Sequence, residues 1–134
     1  MPMLILALLA LLPLHAAVAA EAGDCTSPQT NLAMQECADA NYRAADAALN
    51  AAYGEVMGRL RQMDKEDGPD SGLADALKAA QRAWIPFRDG QCAWEAGFFT
   101  GGSIAPLIRL TCLTELTRAR TGQLRQTLKT YGEN

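Results

Sequence analysis

The chain has 134 residues and a mass of 14.3 kDa, which suits one domain and is too short for two independent cores. It carries a formal net charge of −3 and one histidine, His15. Because His15 lies in an apolar leader that we expect to be removed, catalytic systems that need imidazole and zinc sites that contain histidine are excluded from the mature protein.

Residues 1–20 have the pattern of a signal peptide. Seventeen of them are hydrophobic, none has an acidic or basic side chain, and small residues follow the apolar run, so cleavage is expected after Ala19 or Ala20. Because no Lys or Arg precedes the run, an uncleaved anchor is the alternative. Asp24 directly before Cys25 argues against lipoprotein processing. We therefore predict a periplasmic or secreted protein with no stable membrane anchor after cleavage.

The mature chain, residues 21–134, is predicted to be all-α. It contains 19 alanines but only four valines and isoleucines together, a balance that favours helices over strands. Turn residues cluster at 67–72 and 97–103 and divide the chain into three helical segments. The prediction is one domain, a small antiparallel bundle of three helices closed by two disulfides.

The first helix is predicted to begin with Ser27 as N-cap and Pro28 in the first turn, and to run to about Met63. A break between Cys37 and Asn41 is an alternative to a continuous helix. Apolar residues at steps of three and four define its core stripe. That stripe is Tyr42, Ala45, Leu49, Tyr53, Val56, Leu60 and Met63.

The second and third helices carry stripes with the same spacing. Pro86 is expected to kink the second helix, and the third is expected to start near Ser103 as N-cap with Pro106 in its first turn. The second stripe is Leu73, Leu77, Ala80, Trp84, Phe87, Gln91 and Trp94. The third stripe is Leu107, Leu110, Leu113, Leu116, Leu124 and Leu128.

Four cysteines in a small exported chain, with no C-x-x-C pair, predict two disulfides. Their wide spacing and the missing histidine speak against a metal site, and no cofactor motif is present. Folding the chain about residues 101–102 brings Cys92 beside Cys112, so we pair these two and pair Cys25 with Cys37. The alternative joins Cys25 to Cys112 and Cys37 to Cys92.

Charge is spread unevenly along the mature chain. Residues 21–70 contain ten acidic and four basic side chains, whereas residues 71–134 contain five acidic and eight basic ones. Either these opposite charges meet inside the bundle, or the acidic half steers a cationic partner. The sequence pI of about 5.1 lacks the basic footprint of nucleic-acid-binding proteins, so we expect no nucleic-acid partner.

A structural polar network is predicted between the first two helices. Asp46 and Asn50 stand one helical turn apart, and antiparallel alignment places Asp46 level with Arg88. A carboxylate and a guanidinium at that separation form a bidentate pair, with Asn50 or Gln81 satisfying the remaining donors. Ligand binding by these residues is the alternative to a structural role.

The turn between the second and third helices is the candidate partner-binding loop. Two adjacent aromatic residues precede a glycine-rich stretch in the loop Phe98, Phe99, Thr100, Gly101, Gly102 and Ser103. Aromatic residues on such a loop form an apolar tip that anchors a protein interface. The alternative is that one ring packs against the end of the bundle.

Two local patterns carry a resemblance to a known family. The first consists of Cys25, Cys37, Tyr42, Ala45-Asp46, Leu49-Asn50 and Tyr53. The second consists of Ala80-Gln81-Arg82-Ala83-Trp84-Ile85, Phe87-Arg88-Asp89, Cys92, Gly101-Gly102-Ser103 and Cys112. Together they resemble the LprI-type family of exported bacterial domains over residues 24–124. The resemblance implies a small helical, disulfide-bonded module of the cell envelope, with lysozyme inhibition as the activity attached to the family name.

The function predicted from these features is that of a non-enzymatic exported binding protein that inhibits c-type lysozyme. The 98–103 loop would block the cleft of the enzyme, and the acidic half would speed association. The alternative is a structural or assembly module that binds another periplasmic protein or peptidoglycan. A hydrolase using Glu36, Asp39 and Asp46 is the least supported prediction, because the chain lacks a nucleophile motif.

Overall fold

The computed structural model describes residues 25–68 and 71–132, and the leader predicted at residues 1–20 lies outside the described residues. Three helices form this part of the chain: α1 (Asn31–Asp67), α2 (Leu73–Gly97) and α3 (Ala105–Tyr131). They pack together without a strand in the two described ranges, which confirms the all-α prediction. Within those ranges, no helix is long and apolar enough to cross a membrane.

Helix α1 begins three residues later than predicted and is continuous. Its N-cap is Thr30, whose hydroxyl accepts a hydrogen bond from the N–H of Ala33 at 3.1 Å, so Ser27 does not cap the helix. The alternative of a break between Cys37 and Asn41 is wrong. Buried Cys37 and Ala38 hold this turn of the helix against the core.

Helix α2 begins at Leu73, the first residue of its predicted stripe, whereas α3 differs from prediction at its N-cap. Helix α2 continues through Pro86 at an exposed position. Helix α3 has Ile104 as N-cap, with Pro106 in its first turn as predicted. Ser103 does not cap α3, because its hydroxyl accepts a hydrogen bond from the Asn31 side chain at 3.3 Å and its carbonyl accepts one from Gln35 at 3.0 Å. These bonds tie the turn before α3 to the start of α1.

Both predicted disulfides are present. Cys25 pairs with Cys37 and Cys92 pairs with Cys112, with Cα atoms 5.6 and 5.5 Å apart. Closing loops of 12 and 20 residues removes entropy from the unfolded chain and stabilises the fold by about 3 kcal/mol per bridge. The second bridge is buried, joins α2 to α3 and thereby sets the rotation of α2 about its axis.

The stripes predicted for α1 and α3 face the core, with every member buried or half-buried, and these two helices make the most extensive contact in the bundle. One buried cluster contains Leu49, Val56 and Leu124, and a second surrounds the Cys92–Cys112 bridge. Three buried threonines, Thr114, Thr117 and Thr121, fill the part of the α3 face between its leucines. The sequence pattern missed them because threonine is polar. In the fold, the Thr121 hydroxyl donates a hydrogen bond to the carbonyl of Thr117 at 3.0 Å.

The stripe predicted for α2 does not coincide with its buried face. The residues that α2 buries are Ala74, Arg88 and Cys92, whereas Phe87 is 58% and Trp94 is 62% exposed. Neighbouring residues on a helix are about 100° apart, so turning Arg88 inward directs Phe87 to the side. The prediction that Phe87 is a core residue is therefore wrong. The disulfide and the contacts of Arg88 determine the rotation of α2, and apolar periodicity does not reveal them.

Asp64 near the end of α1 caps the beginning of α2. Its two carboxylate oxygens accept hydrogen bonds from the N–H groups of Leu73 at 2.8 Å and Ala74 at 3.0 Å, and from the hydroxyl of Ser71. Gly72, the N-cap residue, has a φ of 56°, a conformation that glycine adopts freely. The capping carboxylate therefore comes from another helix.

The pH dependence of stability is expected to report this cap. Hydrogen bonds from Ser71 and Ala74 outweigh desolvation and lower the pKa of Asp64 below its ordinary value of 3.8. The Asp64 carboxylate therefore binds a proton more readily in the unfolded chain than in the folded one. Its stabilising effect is present above pH 3.8 and is lost as the pH falls through the lower pKa of the folded state. Urea unfolding should show that Asp64→Asn is less stable than wild type at pH 7. The difference in the free energy of unfolding between the two proteins should shrink below about pH 4. The exposed control Glu55→Gln should show no such convergence, and a pH-independent effect of Asp64→Asn would contradict the assignment.

Candidate functional site

The 98–103 loop is an ordered series of turns at one end of the bundle. The N–H of Phe99 donates to the carbonyl of Ala96 at 3.0 Å, and the N–H of Gly102 donates to the carbonyl of Phe99 at 2.9 Å. Gly101 has a φ of 84°, and a Cβ on Gly102 would lie 3.2 Å from the Phe99 carbonyl oxygen. The two glycines are therefore needed for this tight path. The backbone presents its side chains in a fixed arrangement without ordering on binding.

Both aromatic residues of the loop are exposed. Phe98 is 73% exposed and Phe99 is 43% exposed, so neither ring is buried in the end of the bundle. Trp94, one turn earlier on α2, meets Phe98 edge to face with ring centroids 5.5 Å apart. Phe87 lies on the same side of α2, because seven residues make nearly two full turns. We call Phe87, Trp94, Phe98 and Phe99 the aromatic surface.

The aromatic surface is larger than the predicted loop. Sequence reasoning assigned Phe87 and Trp94 to the core because their spacing matched the apolar stripe. The signal that could have separated them is the neighbouring pair Arg88 and Cys92, which has its own one-turn spacing and a disulfide partner on α3. Exposed aromatic residues grouped along one helix and the loop that follows it mark candidate interaction sites on small proteins.

Arg88 is the centre of the polar network between the helices. Its side chain is only 8% exposed, and its Nη1 lies 3.6 Å from a carboxylate oxygen of Asp46. Its Nε and Nη2 both lie 2.9 Å from Oδ1 of Asp89, and its Nη1 donates to the Thr117 hydroxyl at 3.4 Å. Asn50 donates to Asp46 at 3.2 Å. The structure thus brings together three of the four residues predicted for the network.

The guanidinium of Arg88 also lies between two aromatic rings. Its central carbon is 5.2 Å from the ring centroid of Trp84 and 5.6 Å from that of Tyr42. Cation–π contact with both rings compensates part of the cost of removing the charge from water. The network therefore lies inside the bundle, away from the exposed faces of Phe98 and Phe99.

Gln81 stands apart from this network. Its side-chain oxygen accepts a hydrogen bond from the Nε of Arg120 on α3 at 3.0 Å. Gln81 precedes Arg88 by seven residues along α2, so it lies nearer the opposite end of the bundle. The group that accepts a hydrogen bond from the Nε of Arg88 is instead the carboxylate of Asp89, its neighbour in sequence.

The acidic side chains of α1 are partly neutralised within the bundle. Asp39 forms an ion pair with Arg43 at 2.7 Å, and Asp46 faces Arg88. Both acidic side chains are more than two-fifths exposed, so these pairs contribute little to stability and remain screened by salt. The excess of acidic residues in the N-terminal half still gives a long-range field that favours cationic partners.

Comparison with known proteins assigns the chain to a family. The family model described as "Lysozyme inhibitor LprI" matches residues 22–124. An uncharacterised protein of Rhizobium meliloti, R02472, is 43% identical over 110 residues, which cover 79% of each chain. The uncharacterised protein YecT of Escherichia coli is 38% identical over 61 residues, which cover 44% of this chain and 38% of YecT. No solved structure matches the chain.

Proposed function

We propose, on the premise that this chain belongs to the LprI family, that it is an exported protein that binds and inhibits c-type lysozyme. The matched family is one of inhibitors and not of enzymes. The observation that carries the proposal is the aromatic surface, which places four exposed rings on and beside a rigid loop. Rings of this kind supply most of the binding energy in compact protein interfaces.

The shape of the loop supports insertion into a cleft. Phe98 and Phe99 are adjacent at the end of the bundle, where the chain turns through the 98–103 loop. Hydrogen bonds from Asn31 and Gln35 hold the last residue of this loop against α1, so the loop can keep its conformation when it contacts a partner. An apolar tip seated in the cleft excludes substrate without any chemistry by the inhibitor.

Charge supports lysozyme as the partner. C-type lysozymes are strongly cationic, and residues 21–70 of this chain have a net charge of −6. Opposite long-range fields raise the rate of association and fix the approach, whereas the apolar contact determines how long the complex lasts.

Three features support export. The leader at residues 1–20 has the pattern of a signal peptide, both disulfides need an oxidising compartment, and the family resemblance is to exported domains. A periplasmic or secreted protein would meet host lysozyme before the enzyme reaches the cell wall.

The proposal is tested by the rate at which c-type lysozyme clears a suspension of bacterial cell walls. Purified protein of residues 21–134 at micromolar concentration is expected to inhibit clearing at low salt. Inhibition should weaken about tenfold when salt rises from ~20 mM to ~0.5 M, because steering is screened. Absence of inhibition at low salt, with the disulfides confirmed by peptide mapping, would overturn the proposal.

One observation favours a second candidate function. Phe87 and Trp94 are exposed on α2, at a distance of seven residues from each other, so the aromatic surface extends from the loop onto the helix. A helix face of this kind suits an assembly module that binds another protein of the envelope. Capture of a periplasmic partner that is lost on Phe87→Ala, together with normal lysozyme activity, would favour this function.

A further inference from the structure

An apolar cavity lies at the end of the bundle opposite the 98–103 loop. Its volume is about 450 Å³, within the range of small-molecule binding sites. Most of its wall consists of aliphatic side chains from all three helices. The principal contributors are Leu60, Met63, Leu73, Leu77, Leu124 and Leu128.

The cavity lies between side chains of all three helices. Helix α2 packs mainly on α3 and has much less contact with α1. Leu60, Leu77 and Leu128 are only partly buried and Leu73 is 36% exposed, whereas Leu124 in the cavity wall is buried. The exposed ring of Tyr131 stands at the rim. Exposing aliphatic surface to water costs about 25 cal/mol of free energy per Å². An apolar ligand that covers this surface would therefore be stabilised here.

Arg120 supplies the positive group in this wall. It lines the cavity, and its Nε and Nη1 donate to the side-chain oxygens of Gln81 at 3.0 Å and Gln123 at 2.6 Å. Both acceptors are neutral, and no carboxylate in residues 25–68 or 71–132 forms an ion pair with it. The guanidinium lies 5.9 Å from the ring of Trp84. Burial lowers the pKa of Arg120, but the group remains cationic.

The environment of Arg120 differs from that of Arg88. Arg88 has two carboxylates and a hydroxyl around it, whereas Arg120 has only amide oxygens. A guanidinium carries five N–H donors, and two of those on Arg120 are used in the described bonds. The remaining donors offer a bidentate site for an anionic group at the edge of an apolar cavity.

We propose that this cavity binds a medium-chain fatty acid, with the alkyl chain between the leucines and the carboxylate on Arg120. A single cationic group matches a single negative charge, and the uncharged remainder of the wall matches an unbranched hydrocarbon. The site is separate from the aromatic surface, so fatty-acid binding does not depend on lysozyme inhibition. The protein would then carry two binding functions at the two ends of one bundle.

The test compares dodecanoate with dodecanol by calorimetry, using the chain of residues 21–134. Wild type is expected to bind dodecanoate at least about tenfold more tightly than it binds dodecanol, because a charge-assisted hydrogen bond to the carboxylate adds to the apolar contact. Arg120→Gln should lose about 10- to 100-fold in affinity for dodecanoate and keep its affinity for dodecanol. The retained dodecanol binding shows that the variant is folded. Arg125→Gln, which removes an exposed arginine outside the cavity, should match wild type.

The fluorescence of Trp84 locates the ligand. In Trp94→Phe, Trp84 is the remaining tryptophan, and its contact with Arg120 should make its emission change on adding dodecanoate. Failure of wild type to bind dodecanoate would overturn the proposal. So would equal losses for Arg120→Gln and Arg125→Gln, or binding that leaves Trp84 emission unchanged.

Discussion

Arg88→Ala is expected to lower the free energy of unfolding by about 3 kcal/mol. The substitution removes the side chain that fills the space between Tyr42 and Trp84 and leaves a cavity there. It also removes the guanidinium that donates a hydrogen bond to the buried hydroxyl of Thr117. Urea unfolding monitored by circular dichroism measures the loss.

Two further variants separate packing from charge at this position. Arg88→Met keeps a chain of similar length between the rings and should cost about 1 kcal/mol. Asp46→Asn should cost less than about 1 kcal/mol, because the Asp46 side chain is 42% exposed and lies 3.6 Å from Arg88. The exposed control Arg82→Ala should be neutral within about 0.5 kcal/mol. If Arg88→Ala were as stable as Arg82→Ala, the network would not hold the helices together.

Local sequence signals were sufficient to predict which faces of α1 and α3 pack into the core. Their apolar residues recur at helical spacing, and the stripes containing Leu49 and Leu113 face the core as predicted, with every member buried or half-buried. The pairing of Cys92 with Cys112 followed from the position of the turn, because antiparallel helices align residues equally far from their connection. Helical periodicity and the position of the turn were therefore sufficient to predict the bundle and its Cys92–Cys112 bridge.

The rotation of α2 could not be obtained in this way. Its sequence contains enough alanine and aromatic residues for more than one apolar face, and periodicity favours the face with Phe87 and Trp94. The fold instead buries the face with Arg88 and Cys92, because a disulfide and a set of hydrogen bonds form only in that rotation. Such contacts depend on residues far away in sequence.

The two ends of the bundle were predictable to different degrees. Glycines and adjacent aromatic residues identified the 98–103 loop as a tip, but they did not tell whether the rings are exposed. The apolar cavity was missed, because it results from a gap between three helices and no local pattern describes a gap. Its one indirect sign is an arginine, Arg120, within a leucine-rich helix.

Replacing both loop aromatics, Phe98→Ala with Phe99→Ala, is expected to weaken lysozyme inhibition by about 100-fold. The two rings are the most prominent apolar groups on the loop. Anchor residues of this kind often contribute about 2 kcal/mol or more each to the free energy of binding. Because both are exposed, their removal should change the stability of the protein by no more than about 0.5 kcal/mol per site. A loss of inhibition in a stably folded variant therefore reports on the interface.

Tyr131→Ala is the matched control for these two rings. Tyr131 is 73% exposed, as Phe98 is, and lies at the opposite end of the bundle at the end of α3. The control removes an exposed aromatic side chain of similar size without touching the loop. Its inhibition constant should stay within about twofold of wild type, since residues outside an interface contribute nothing to it.

The central claim is that the aromatic end of this LprI-family bundle binds lysozyme, and the inhibition constants of three proteins test it most directly. Wild type, the Phe98→Ala/Phe99→Ala double variant and Tyr131→Ala are compared in the same cell-wall clearing assay at low salt. We predict inhibition by wild type and Tyr131→Ala at similar concentrations, with a loss of about 100-fold in the double variant. Equal inhibition by all three proteins would contradict the claim.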